Sequence, residues 1–160
     1  MKAGWEIKKL GEVCEIHYGT RVVQKKDGGT IYPVYGGGGA TFKMDKFNRE
    51  DCLVVSRFAM SKQCVRFVRG KFFLNDSGLT IESKDSILSQ NFLDKHIFAL
   101  NDKIYSLGKG MAQINLDIKE LKNIDIHFPI SIPEQERIVS ELDLISGVIE
   151  KKKQQLKELD

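Results

Sequence analysis

Cysteine is scarce in this chain of 160 residues. There are three, Cys14, Cys52 and Cys64, an odd number with no CxxC pair. That argues against a disulfide framework and a thiolate zinc site, and fits a reducing compartment. Long apolar runs are missing as well. No stretch nears the ~18 residues of a membrane span, and the opening Met1-Lys2-Ala3-Gly4-Trp5-Glu6 has no apolar signal core. The chain is therefore expected to be cytoplasmic, with no membrane partner. Catalytic signatures are also lacking: no G-x-S-x-G, no H-E-x-x-H and no cysteine-nucleophile pattern. His17, His96 and His127 stand apart without metal spacing. His96 falls on an apolar helical face and reads as a packed residue. These absences point to a binding module with no catalytic residue and no metal site.

What is present is an uneven charge. The net charge is +3, but residues 133–160 hold five Lys/Arg against seven Asp/Glu, so the rest of the chain carries +5. Between Cys52 and Asn75 lie Arg57, Lys62, Arg66, Arg69 and Lys71 with no acidic residue. Such a patch concentrates polyanions near the surface and speeds their association. The plainer reading is a solvated face that lacks acids.

The pattern along the chain predicts an α+β fold: a globular mixed α/β domain with short β-strands over 1–130, then one long coiled-coil helix over 131–160. Trp5 to Ile16 reads as a short strand and a one- or two-turn helix carrying Leu10, Val13 and Ile16. A polar loop with an Asp27-Gly28 turn follows. Ile31 to Tyr35 is β-prone. The run Gly36 to Gly39 suits a loop, or a place where another backbone comes close. Four short strands are predicted at 53–55, 65–68, 72–74 and 79–81, with breaks at 59–62, 69–71 and 75–78. Ser89 should cap a helix reaching Leu100, and Asp117 a short helix through Leu121. Ile124 to Phe128 should be a strand. Ser131-Ile132-Pro133-Glu134 matches an S-x-x-E capping box at the start of the last helix. On that helix Ile138, Leu142, Ile145, Ile149, Leu156 and Leu159 form a heptad seam with Lys152 in one slot, which asks for a partner helix.

The glycine run fails as a phosphate loop. Ala40-Thr41-Phe42-Lys43 follows it, so no lysine sits where G-x-x-x-x-G-K-[ST] requires one. Phe58, Phe67, Phe72 and Phe73 interleave with the basic residues. Large apolar side chains usually lie inside, and these four are read as core.

Several stretches, in order, resemble the specificity subunit of type I restriction-modification systems. Trp5-Glu6-Ile7-Lys8-Lys9-Leu10-Gly11-Glu12-Val13-Cys14-Glu15-Ile16 resembles the start of a target recognition domain. Ile31-Tyr32-Pro33-Val34-Tyr35-Gly36 with its glycines resembles that domain's "PvYGsgG" loop. Gly110-Met111-Ala112-Gln113-Ile114-Asn115-Leu116 resembles its "G.aQ.nl" stretch. Pro129 to Val139, PISIPEQERIV, resembles the junction into the family's conserved spacer helix.

The resemblance implies a subunit without catalysis. In the family, two recognition domains each read half of a split DNA site and are held apart by two antiparallel helices. Methyltransferase subunits dock on that scaffold and carry the S-adenosylmethionine chemistry. A restriction subunit adds a translocating nuclease that uses ATP and magnesium, so no cofactor is expected in this chain. Here there is one domain and one helix, which makes the chain a fragment or a half-size version. The seam is then expected to make a homodimer.

DNA contacts are assigned from chemistry and loop position. Lys25, Lys26, Lys43, Lys62 and Lys71 are expected on phosphates; Arg21, Arg57, Arg66 and Gln113 on base edges. Two other classes stay open: a coiled-coil adaptor indifferent to DNA, and a small enzyme using the glycine loop.

Overall fold

The computed structural model describes residues 3–158. Its elements run β1 (Trp5–Lys9), α1 (Leu10–Val13), β2 (Cys14–Tyr18), α2 (Gln24–Asp27), β3 (Tyr32–Tyr35), β4 (Ala40–Met44), β5 (Arg49–Ser56), β6 (Val65–Leu74) and β7 (Gly78–Ser83). After these come α3 (Gln90–Ala99), α4 (Asn101–Ser106), β8 (Gly108–Lys109), β9 (Asn115–Leu116), α5 (Ile118–Lys122), β10 (Asp125–Pro129) and α6 (Ile132–Lys157).

Six strands form one sheet in the order β2-β7-β5-β6-β3-β4. All neighbours are antiparallel except β3 and β6. The sheet curls. The Thr20 N–H at the end of β2 donates to Leu74 O at the end of β6, 3.0 Å away. Val54, Val68, Phe72 and Leu74 fill the inside of the curl. The larger core lies on the other side, where Leu53, Val55, Leu79 and Ile81 meet Leu93 and Ile97 of α3, with Leu10, Leu121, Ile126 and Phe128 closing the layer. Phe72 and Phe73 are core, as read from the sequence, while Phe67 is 42% exposed.

Local chemistry explains most boundaries. Ser89 Oγ accepts from the Phe92 N–H at the start of α3, and Asp117 accepts from the Lys119 and Glu120 N–H groups at the start of α5. Elsewhere the fold departs from expectation. The break predicted at Arg69-Gly70-Lys71 lies inside β6, which is continuous over ten residues. Asp51 (φ 43°) and Gly70 (φ 75°) take left-handed backbone at a bulge between β5 and β6. The Gly70 N–H donates to Asp51 Oδ1 at 2.7 Å, so the strand bends there instead of ending. Ile16 belongs to β2 and not to a helix, because α1 stops after one turn. α2 and α4 form within stretches that carry no helical signal of their own. α4 depends on Asn101, whose side chain accepts from the Cys64 and Val65 N–H groups and donates to Lys62 O.

The start of α6 differs most. Ser131 is the N-cap residue but makes no side-chain cap bond. Glu134 instead grips Arg137 through two 2.8 Å bonds. The helix is fastened by Gln135, which is fully buried. Its Oε1 accepts from the Ser89 N–H (2.7 Å), and its Nε2 donates to Ile87 O (2.8 Å) and Pro129 O (2.7 Å). Beside it, Ser89 Oγ bonds Glu136, Lys95 pairs with Asp143, and Val139 packs into the core. Gln135→Ala leaves those three backbone groups without partners. It is expected to lower stability by about 3 kcal/mol, seen as a lower urea midpoint at unchanged m-value. A loss below about 0.5 kcal/mol would show that these bonds do not fasten the helix.

Candidate nucleic-acid interface

Five segments converge at one end of the sheet around the β6–β7 turn, Asn75 to Ser77. Gly19 follows β2 and donates to Gly78 O (3.0 Å). Its missing Cβ matters, because one there would overlap Asn75 O. The glycine run follows β3. Its Gly37 O accepts from Ser56 Oγ (2.6 Å) and from an Arg66 Nη (2.8 Å), while its N–H donates to Ser77 Oγ (3.2 Å). Arg57 follows β5, with its N–H on Ser77 O (2.8 Å) and its carbonyl accepting from the Leu116 N–H (2.9 Å). The fifth segment, Gly110 to Asn115, is clamped to the third: Met60 N–H donates to Ile114 O, and Asn115 Oδ1 accepts from the Ala59 N–H (3.3 Å) and Gln113 Nε2 (2.9 Å). Ala59 sits at φ 48°, a left-handed conformation costly for a residue with a Cβ. Asp76 is the one carboxylate on these five segments, against Arg21, Arg57 and Lys62.

The residues assigned from sequence divide into groups. Arg57, Arg66 and Gln113 come together at this end, and the exposed Arg21 and Lys62 flank it. The Arg57 guanidinium lies 4.5 Å from the ring centroids of both Tyr18 and Phe58. Arg66 spends its guanidinium on Gly37 O and Gln63 O. Lys25 and Lys26 are exposed on α2. Lys43 on β4 lines an open cleft with Gln24, Gly28, Gly29, Thr30 and Phe42. Lys71 stands alone, 4.7 Å over the Phe47 ring. Tyr18, Asn75, Ser77 and Asn115 were not singled out from the sequence. Asn115 lies two residues from Gln113 in the same motif. Tyr18 carried no signal, because its role depends on a contact 39 positions away.

On the arm, Ile138 is partly buried against the core of its own domain. Leu142, Ile145, Ile149 and Leu156 are exposed, together with Leu144 and Val148, so the apolar band is wider than the heptad seam. Leu159 lies outside the described residues. No helix among the described residues is long and apolar enough to cross a membrane.

A family model for the type I restriction modification DNA specificity domain matches residues 2–160. The chain belongs to this family. Three solved structures share the fold of this specificity domain. One is the type I restriction-modification S subunit from M. genitalium, with TM-score 0.78 and 22% identity over 92% of this chain and 40% of that one. A chain solved in a study of complex assembly and conformational transition of the type I R-M system gives 0.74 and 23%, over 99% and 42%. The HsdS subunit from Thermoanaerobacter tengcongensis gives 0.67 and 21%, over 94% and 39%. The specificity domain thus spans about two fifths of the length of each. No curated protein matches it in sequence.

The thiols of this specificity domain are held protonated. Burial pushes Cys14 up to about 12, slightly opposed by Lys84, and Cys52 up to about 11. A folded value raised above the ordinary 9.0 gives stability that is complete below pH 9 and lost as pH climbs toward 11 to 12. Urea midpoints are therefore expected to hold steady from pH 7 to 9 and to fall above 9, and native iodoacetamide labelling at pH 8 to be slow until urea is added. A midpoint that rises above pH 9 contradicts this.

Proposed function

We propose that the chain is a non-catalytic, cytoplasmic module that reads one half of a bipartite site in double-stranded DNA and docks methyltransferase and restriction subunits of a type I complex. S-adenosylmethionine, ATP and magnesium belong to those partners. The observation that carries the reading is the convergence of loops at one sheet end, with arginines and amides concentrated there, in a chain whose whole length matches the specificity-domain family. Exposed lysines on α2, β4, β6 and the 57–64 loop supply phosphate contacts. The alternative of an adaptor indifferent to DNA gains nothing from the family match.

The arm supports a two-fold homodimer. Six large apolar residues, Leu142, Leu144, Ile145, Val148, Ile149 and Leu156, are exposed along it. Its charge is polarised. Residues 134–143 carry four acids and one base; residues 150–157 carry four bases and one acid. An antiparallel pair sets each basic tip beside an acidic root, whereas a parallel pair sets like against like. Over 26 residues the arm is roughly 40 Å long, which sets two heads at a fixed spacing suited to a split palindrome.

Random-sequence duplex should be retarded by the full chain at low salt. Lys25→Ala, Lys26→Ala or Lys43→Ala should weaken binding to all sequences alike and flatten the salt dependence by about one unit per contact. A chain that ignores every duplex, alone and with its methyltransferase subunit, refutes the DNA reading. In sedimentation, the wild type should be a dimer at tens of micromolar and Ile145→Glu with Ile149→Glu a monomer. A monomeric wild type removes the paired geometry.

A further inference from the structure

Arg57 and Arg66 are nine residues apart in sequence, and both were assigned to base edges, yet their surroundings differ. Arg66 is committed inward. Its guanidinium donates to Gly37 O at 2.8 Å and Gln63 O at 3.0 Å, so it holds the glycine run in place. Arg57 is held without being used up. Its backbone is bonded on both sides, to Ser77 O and by Leu116 N–H. Its guanidinium rests 4.5 Å from the centroids of the Tyr18 and Phe58 rings. Among the described residues, no oxygen takes a hydrogen bond from it. Two rings fix the position of the group while leaving its N–H fork for an acceptor outside the chain.

We infer that Arg57 is the specificity-determining residue that reads a guanine in the major groove, and that Arg66 is a positioning residue for the glycine run. The inference rests on the DNA reading proposed above. A phosphate asks for charge more than geometry and can be met by a lysine such as the exposed Lys62 beside this end of the domain. Guanine offers O6 and N7 in one plane at a fixed spacing, which suits a guanidinium fork. A fork already ordered by stacking loses little further freedom on meeting them. Tyr18 and Phe58 act through Arg57, as the walls of its seat.

The test is selection from randomised duplexes by the full chain, alone and with its methyltransferase subunit, using wild type, Arg57→Lys, Arg57→Ala and Arg66→Ala. Arg57→Lys keeps the charge and loses the fork, so it stays informative if Arg57→Ala fails to fold. The wild type is expected to fix a motif containing guanine. Arg57→Lys should lose about tenfold discrimination at one guanine, with the preference at every other position kept. Replacing that guanine by 7-deazaguanine, which removes N7, should weaken wild type about tenfold and leave Arg57→Lys unchanged. Arg66→Ala should lower affinity without relaxing that guanine. An unchanged motif with Arg57→Lys, or a loss uniform over all sequences, overturns the assignment and leaves the DNA-reading function standing. A wild type that fixes no sequence under either condition brings down that function and the assignment together.

Discussion

One buried amide governs how the two parts of this protein meet. Gln135 sits in the first turn of α6, fully enclosed, and its side chain satisfies a donor in front of α3 and two carbonyls on either side of it. A polar group removed from water is tolerated only when its bonds are made. The helix therefore cannot rotate about its axis or slide along it without breaking them. That fixes the direction in which the arm leaves the head, and with it the bearing of the loop end relative to any partner arm. The Glu134–Arg137 pair and the Lys95–Asp143 pair lie at the surface, where solvent weakens them.

The loop end applies a related logic at finer scale. Its segments come from widely separated parts of the chain, and each is bonded to another: most through the backbone, the glycine run through the Ser56, Arg66 and Ser77 side chains. The side chains outside those bonds can change while the frame stays constant. Groups that must be placed accurately, Arg57 above all, are stacked and bonded from several sides. The lysines expected on phosphates are exposed to solvent, which suits a contact that needs charge more than direction.

What could be read from sequence follows the range of the interactions. The caps at Ser89 and Asp117, the strand before Pro129 and the long final helix are set by residues within a few positions of one another, and the pattern shows them. The four separate motifs, in order, carried the family. The curl of the main sheet was hidden, because it depends on Thr20 reaching Leu74. So was the continuity of β6, where Asp51 takes up the bend at Gly70. α4 was invisible because its support comes from a loop nearly forty residues upstream. The two arginines looked equivalent for the same reason: Gly37, Tyr18 and Phe58 distinguish them, and two of those three are distant in sequence. The seam was visible, but Ile138 turned out to be shared with the domain's own core, and Leu144 and Val148 broadened the exposed band.

The pairing of β1 with β10 carries a mechanical consequence. Trp5 lies opposite Pro129, and the Gly4 carbonyl accepts from the Ile130 N–H, so β1 starts at the root of the arm. Among the described residues β10 has no other strand partner. Its Pro129 carbonyl is one of the two that Gln135 holds. Fraying of β1 therefore strips β10 of its ladder and loosens the footing of α6, so strain at the head's first strand is felt at the base of the arm.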